Sequence, residues 1–295
     1  MEMRQLKIFC AVADLGSFTA AAARINTVQS NVTMRIKELE AELNRELFIR
    51  RKSGVVLTAA GETFLGYARR ILQLTEESRS ALLDTGVPNG PLRLGSMETT
   101  AAIRLPKILT RYREQHPDVQ LSLLTGTTAE LIKAIESHRI DGAFVGGFHQ
   151  NPMLAQQEVF CEELVLVSSD QFDSLDSLMG RMLSQTVLVF RSGCFYRSTL
   201  ENWFYRVGLV PNQIMEMGTL DGILTCVSAG MGVTLLPRSV TQNCSVRHAL
   251  RCHELPAEFS RVSTVFIRRQ DSLPTSAMSA FMEMAQQRRE VADLH

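Results

Sequence analysis

Apolar residues recur at helical spacing in the first third of the chain. Phe18, Ala21, Ala22 and Ile25 form one short stripe, and Val32, Ile36, Leu39 and Leu43 form a second. Ser17 is placed to cap the first helix. Asn26-Thr27 breaks it, and Thr27 is placed to cap the next helix over residues 28–43. Two β-prone runs follow, at 47–49 and 55–57, around a basic turn with the hairpin signal Ser53-Gly54. From Thr58 to about Asp84 the pattern predicts one long helix with a narrow stripe of Phe64, Ala68, Ile71, Thr75, Ser78 and Leu82. Some 27 residues of helix extend roughly 40 Å. So long a helix with so narrow a seam calls for a second copy as its partner. Gly86, Pro88, Gly90 and Pro91 then end it and mark a hinge at 86–90.

Beyond the hinge, strand and helix patterns alternate. Strands are expected at 92–95, 119–125 and 141–145, and helices at 99–115 and 129–138. A second unit holds strands at 164–168, 187–190, 215–217 and 233–236, with helices at 195–207 and 220–229. A strand at 261–267 leads back to a last helix at 276–291. This order implies an α/β domain with helices on a largely parallel sheet. The closing segments return to the first lobe, which gives two lobes joined by two crossings. Lobe I is expected at about 91–161 and 268–295, and lobe II at about 162–267.

The apolar faces of the helix pair leave Gln29, Ser30, Thr33, Met34 and Lys37 outward. Short polar groups there suit base edges in a major groove, with Arg35 and Lys37 available to phosphates. A helical hairpin alone decides nothing, and a charge run is usually only a solvated face. Here Arg50, Arg51 and Lys52 sit one β-hairpin from the candidate recognition helix, where three cations suit a phosphate backbone. Residues 1–61 therefore read as an all-α winged helix-turn-helix. Its candidate DNA contacts are Ser17, Gln29, Ser30, Thr33, Met34, Arg35, Lys37, Arg50, Arg51 and Lys52.

Composition narrows the class. The 295 residues suffice for two domains, and 45% hydrophobic content suffices for sizeable cores. Net charge is zero, so positive charge is local, as in a sequence-specific DNA binder. No apolar run is long enough to span a membrane, and the N-terminus lacks a signal-peptide pattern. Cys10, Cys161, Cys194, Cys226, Cys244 and Cys252 form no close pair and no zinc spacing, which implies a reducing cytoplasm. The histidines show no ligand cluster, so no metal or cofactor is expected.

Residues 1–61 resemble the DNA-binding domain of LysR-type transcriptional regulators. The matching positions are Leu6-x-x-Phe9, Gly16-Ser17-Phe18-Thr19-x-Ala21-Ala22, Gln29-Ser30, Ile36-x-x-Leu39-Glu40, Leu47-Phe48-x-Arg50 and Leu57-Thr58-x-x-Gly61. Many members carry serine, proline and arginine where this chain has Val28, Ser30 and Met34. Those departures bear on individual base contacts and not on the binding mode. The remainder resembles the family's type 2 periplasmic-binding-protein-like effector domain. It matches at Leu105-Pro106, Tyr112-x-x-x-His116-Pro117, Asp141-Gly142-Ala143 and Gly230-Met231-Gly232-Val233-x-Leu235-Leu236-Pro237. The phrases 95–101 and 193–197 are most similar to members related to glutamate-biosynthesis regulators. The resemblance implies a dimerising linker helix over 58–85, a homodimer or homotetramer on double-stranded DNA, RNA polymerase as a partner, and a small-molecule effector.

In a two-lobed α/β domain, ligands usually sit at the carboxyl ends of the strands. The loops there hold Ser96, Thr99, Thr100, Thr127 and Thr128 from one lobe, and Ser192, Gly193, Cys194, Gly218 and Thr219 from the other. Each group lies at or just before a helix start, where N–H groups and the dipole favour an anion such as a small carboxylate or amino acid. Capping alone also explains such residues. Phe148, Phe195, Tyr196 and Trp203 are either apolar walls or core.

Cys194 raises a redox alternative, because a helix N-terminus lowers a thiol pKa and peroxide-sensing relatives carry a reactive cysteine in a similar loop. Trp203 stands in the adjacent helix, where no second cysteine appears. An enzyme of the two-lobed fold fused to a DNA-binding domain is a second alternative. No Thr-Arg-Asp motif, phosphate loop or Ser/His/Asp constellation supplies its chemistry. A purely architectural DNA binder would leave two-thirds of the chain without a role. The reading that absorbs the whole chain is an effector-responsive, sequence-specific DNA-binding regulator of transcription.

Overall fold

The computed structural model describes residues 1–51, 54–83, 86–182 and 185–292; the side chains of Arg50, Glu77, Ser80, Ala81, Leu83 and 288–292 fall outside that description. The expectations placed on Lys52, Ser53 and Asp84 therefore lie outside the described residues. The chain divides into two units, Met1–Thr85 with Ser137–Arg139, and Gly86–Glu136 with Ile140–His295.

The first unit opens with α1 (Met3–Leu15), which buries Leu6, Phe9 and Val12. Gly16, at φ +59°, ends the helix with its N–H on the Val12 carbonyl. Next come α2 (Phe18–Arg24) and α3 (Gln29–Leu43). The Ser17 hydroxyl accepts the Ala20 N–H at 3.3 Å, as a cap should. Thr27 does not cap α3. Val28 occupies the capping position in extended backbone, which leaves Thr27 one residue too early, and its hydroxyl accepts from the Asn31 side chain at 2.9 Å. Val32, Ile36 and Leu39 of α3 pack with Phe18, Ala21 and Ala22 of α2 around Phe9.

The wing is β1 (Phe48–Arg51) paired antiparallel with β2 (Gly54–Leu57). Glu40 of α3 positions it, accepting the N–H groups of Leu47 at 2.8 Å and Phe48 at 3.3 Å. At the other end the Val55 N–H donates to the Gly16 carbonyl. That approach is so close that a Cβ on Gly54 would stand 2.9 Å from the same oxygen. The wing is thereby fixed to both ends of the helix-turn-helix.

Helix α4 (Ala59–Leu83) follows, its first turn capped by Thr58, whose hydroxyl accepts the Gly61 N–H at 2.9 Å. The expected stripe divides in two. Phe64, Ala68 and Ile71 pack on the unit's own core together with Leu65 and Leu72. Leu82 is left exposed, at 87%, as are Tyr67 and Leu74 outside that stripe, at 62% and 53%. Ile71 is half-buried against that core.

The second unit begins with β3 (Gly90–Ser96), α5 (Glu98–Ile103) and α6 (Leu105–Gln115). One continuous helix was expected over 99–115. Pro106 lacks an N–H and its ring clashes with a preceding carbonyl, so the chain restarts at Leu105 with proline in the first turn. Then come β4 (Val119–Thr125), α7 (Thr128–Glu136), β5 (Gly142–Gly146) and the long β6 (Leu154–Ser169). Lobe II contains α8 (Leu175–Met179), β7 (Thr186–Val189), α9 (Phe195–Arg206), β8 (Gln213–Glu216) and α10 (Leu220–Ser228). It continues through β9 (Gly232–Pro237), α11 (Arg238–Gln242), β10 (Leu250–Glu254) and α12 (Ala257–Ser260). The chain closes with β11 (Arg261–Arg269) and α13 (Ser276–Ala292).

The strands run in the order β4-β3-β5-β11-β6-β9-β7-β8, with β10 also on β6. The β3–β4, β3–β5, β7–β8 and β7–β9 pairs are parallel, whereas β11 and β10 run antiparallel to their neighbours. One strand, β6, serves both lobes. Leu154–Glu163 pairs with β11, and Leu164–Val167 pairs with β9. The sequence pattern marked only 164–168, because Gln156, Gln157, Glu158, Glu162 and Glu163 interrupt the apolar run. Glu162 is buried and paired with Arg104 at 2.7 Å, and Glu163 meets Arg238 at 2.8 Å. The return crossing falls just before β11 and not at 267, since Thr264–Arg268 pairs with β5 of lobe I. Among the described residues no helix is long and apolar enough to cross a membrane.

Candidate DNA-reading face and effector crevice

The spacing of α3 buries Val32, Ile36 and Leu39, which leaves the opposite side free. Gln29, Ser30, Met34 and Lys37 are exposed and Thr33 is half-buried; together with Glu38 and Ala41 they line one open concavity. The Thr19 hydroxyl donates to Gln29 Oε1 at 3.2 Å, which turns the amide nitrogen outward. Arg35 is engaged within the unit, 3.1 Å from Glu38 and 3.9 Å from Glu2. Its Nε is buried without a hydrogen-bond partner. Ser17 spends its hydroxyl oxygen on the α2 cap. Arg51 is exposed on the wing, and the Arg50 side chain and Lys52 lie outside the described residues.

The candidate effector crevice lies where β3, β4 and β7 end. A cavity of about 80 Å³ is lined by Met97, Glu98, Thr99, Thr125, Gly126, Thr127, Thr128, Phe190, Arg191, Cys194, Tyr196 and Gly218. Space of order 10–15 Å³ holds one water, so this cavity suits a small molecule. Of the residues expected from sequence, Thr99, Thr127, Thr128, Cys194, Tyr196 and Gly218 line it. Ser96 and Thr100 are buried but do not, Thr219 caps α10 through the Gly222 N–H, and Phe148 is 61% exposed. Phe195 packs over Gly146 and Gly147, and Trp203 is core.

The helix starts expected to be free for an anion are partly taken by the protein. Glu130 and Thr127 form a reciprocal cap on α7. Thr127 N–H donates to Glu130 Oε2 at 2.8 Å, and Glu130 N–H donates to the Thr127 hydroxyl at 3.3 Å. The Thr127 N–H, with smaller help from Arg191 and Lys133, holds the Glu130 carboxyl below the ordinary carboxylate range. At α10 the Leu220 N–H donates to Glu98 Oε1 at 2.8 Å, a bond from lobe II to lobe I. The Gly146 N–H donates to the Thr128 hydroxyl at 3.3 Å. The lobes also meet through the Ala129 N–H on the Gly193 carbonyl, at 3.2 Å, and through Arg191 and Glu130, 3.7 Å apart.

Glu98 and Arg191 are the residues that sequence reasoning missed. Both stand beside residues it had picked, Glu98 at the start of α5 and Arg191 in the loop after β7. Polar hydroxyl residues drew attention there because capping makes them conspicuous, whereas an exposed-looking charge in a loop carries no pattern. Cys194 occupies the start of α9, but burial pushes its thiol pKa up, and the N–H groups of Arg197 and Tyr196 only partly counter this. Such a thiol is not activated as a thiolate. Burial likewise raises the Tyr196 hydroxyl, which stays protonated and can donate into the cavity. Among the described residues no group of three or more His, Cys, Asp or Glu is placed to hold a metal ion.

Residues 3–62 match the family of bacterial regulatory helix-turn-helix proteins of lysR type, and residues 85–290 match the LysR substrate binding domain. The chain belongs to the LysR family and is a DNA-binding transcriptional regulator with an effector-binding domain. It is similar to the HTH-type transcriptional regulator GltR of Bacillus subtilis (strain 168), 43% identical over 282 residues, covering 96% of this chain and 95% of that protein. It is equally similar to the HTH-type transcriptional regulator CzcR of Bacillus anthracis, 43% identical over 283 residues and 96% of each chain. Among solved structures, full-length CbnR in complex with its target DNA matches with a TM-score of 0.67 at 25% identity, covering 98% of this chain and 100% of that one.

Proposed function

We propose that the crevice takes a small effector carrying both an ammonium and a carboxylate group, as an amino acid does. The observation that carries this reading is the presence of Glu98 and Arg191 in one small cavity among the hydroxyls of Thr99, Thr125, Thr127, Thr128 and Tyr196. Arg191 suits a carboxylate, and threonine hydroxyls and the protonated Tyr196 supply further donors. Glu98 repels a second negative charge and suits an ammonium. The effector would replace direct contacts between the lobes with contacts through itself, which changes how the lobes close. The chain acts as a homodimer or higher homo-oligomer on double-stranded DNA in the cytoplasm, has no catalytic role, and signals to RNA polymerase. The exposed Tyr67 and Leu74 of α4 stand seven residues apart, the spacing of a two-helix seam, and support that side as the dimer contact.

The test is a thermal-shift series on the full-length chain. It compares small amino acids with the matching amines and the matching carboxylic acids that lack the amino group. Stabilisation by an amino acid, with loss of the effect on removing either charged group, supports the reading. A shift from simple or dicarboxylic acids alone defeats it. Leu74→Asp tested by sedimentation addresses assembly, and an unchanged oligomer would move the contact elsewhere.

A further inference from the structure

The outward surface of α3 is not wholly polar. Val28 and Met34 are 65% and 48% exposed, and neither belongs to an apolar core. They flank Gln29, Ser30 and Thr33, the groups that face a major groove. The one arginine of this helix, Arg35, is held by Glu38 and Glu2, so α3 presents no guanidinium fork to guanine. What remains for base edges, besides the Lys37 ammonium, is an amide, two hydroxyls and two apolar side chains. The only apolar group on a base edge in the major groove is the thymine 5-methyl.

We propose that Val28 and Met34 read thymine methyl groups in each half-site, with Thr19 as the residue that positions Gln29 between them. Val28 at the N-cap of α3 and Met34, six positions on, stand roughly 9 Å apart along the helix axis. At about 3.4 Å per base pair, the two thymines stand two to three pairs apart. Thr19 occupies Gln29 Oε1, so the amide offers its N–H₂ to an acceptor, either thymine O4 or a purine N7. The half-site core is accordingly rich in A·T pairs, and apolar contact supplies discrimination that an arginine supplies elsewhere.

The experiment uses the full-length chain and an operator obtained by selection from random duplexes. Each thymine of one half-site is replaced singly with deoxyuridine, which removes the methyl and keeps every hydrogen-bonding group. Two positions, two to three pairs apart, should each weaken binding about fourfold, the value of one buried methyl. The effect at one position should vanish in Val28→Ala and the effect at the other in Met34→Ala, while Lys37→Ala leaves both in place. Thr19→Val should relax preference at the base contacted by Gln29 and leave the deoxyuridine effects intact. Neutral deoxyuridine at every position overturns the proposal. So does a loss that persists in both alanine variants, or a half-site with no thymines at that spacing.

Discussion

Along the outward face of α3, Gln29, Ser30, Met34 and Lys37 stand in solvent within about three turns of one helix. In the crevice, Thr99, Thr127, Thr128 and Tyr196 come from separate segments of two lobes, and each is less than a tenth exposed. The first site is an array presented by a rigid support. The second is a closed set of groups that already satisfy one another, with Glu98 on the α10 N–H and Glu130 on the α7 N–H. A partner of α3 therefore meets exposed groups, whereas an effector in the crevice would compete with bonds the protein makes to itself. Pre-made bonds lower affinity but couple binding to lobe movement, which is what a regulatory site requires.

If the two regions differ in this way, changes to the support and to the contacts should separate cleanly. The largest effect is expected from Leu39→Ala, which empties a fully buried position beneath α3. It should cost about 2–5 kcal/mol and abolish DNA binding. Melting of the effector domain should stay in place, so a two-transition thermal melt checks it. Loss of both transitions together would deny that the units are stable separately.

Arg191→Gln should lower effector affinity about ten- to a hundredfold, the value of a hydrogen bond to a charged group. Thr100→Val should have little effect, because Thr100 lies outside the cavity lining. Paired effector titrations decide this, and the reverse ranking would move the site towards α5. On the DNA side, Gln29→Ala should cost about 1–3 kcal/mol at one base position and relax preference there. Arg51→Ala should instead weaken specific and random DNA alike and lower the salt slope by about one unit. Binding titrations over a salt series separate the two, and a sequence-dependent effect at Arg51 would break the division between reading and anchoring.

The smallest effect concerns pH. Burial, with help from Arg251, holds the His253 imidazole below its ordinary value of 6.5, and its Nε2 lies 2.8 Å from the buried Ser168 hydroxyl. The unfolded chain therefore takes up a proton before the folded chain does. The contribution of neutral His253 is present above about pH 6.5 and is lost as pH falls through that value towards the lower folded pKa. The effector-domain melting temperature should fall between pH 7.5 and 5.5, and His253→Gln should flatten that slope. A wild-type slope of zero would contradict the burial argument.

Helices α2 and α3 were legible because their signals are local. Ser17 caps, Asn26 at φ +53° breaks, and Val32, Ile36 and Leu39 repeat on one face. The long β6 was half-hidden because Glu162 and Glu163 look like solvent-facing charges, and only arginines distant in sequence make them compatible with a strand. For a related reason the pattern did not show that Phe64, Ala68 and Ile71 pack against the first unit's own core. Periodicity shows that a stripe must be covered but not which surface covers it.

What the sequence determined by itself was the alternation of most strands and helices, the polar face of α3, the cations of the wing and the loops that end the strands of the crevice. All of these follow from residues within a turn or a hairpin of one another. Tertiary structure alone decided which side chains remain available. Arg35 is taken by Glu2 and Glu38, Gln29 is turned by Thr19, and the α10 start is occupied by Glu98, 122 residues away in the chain. A hydrogen bond of that kind depends on two distant segments meeting at about 3 Å, and no pattern in either segment announces the other.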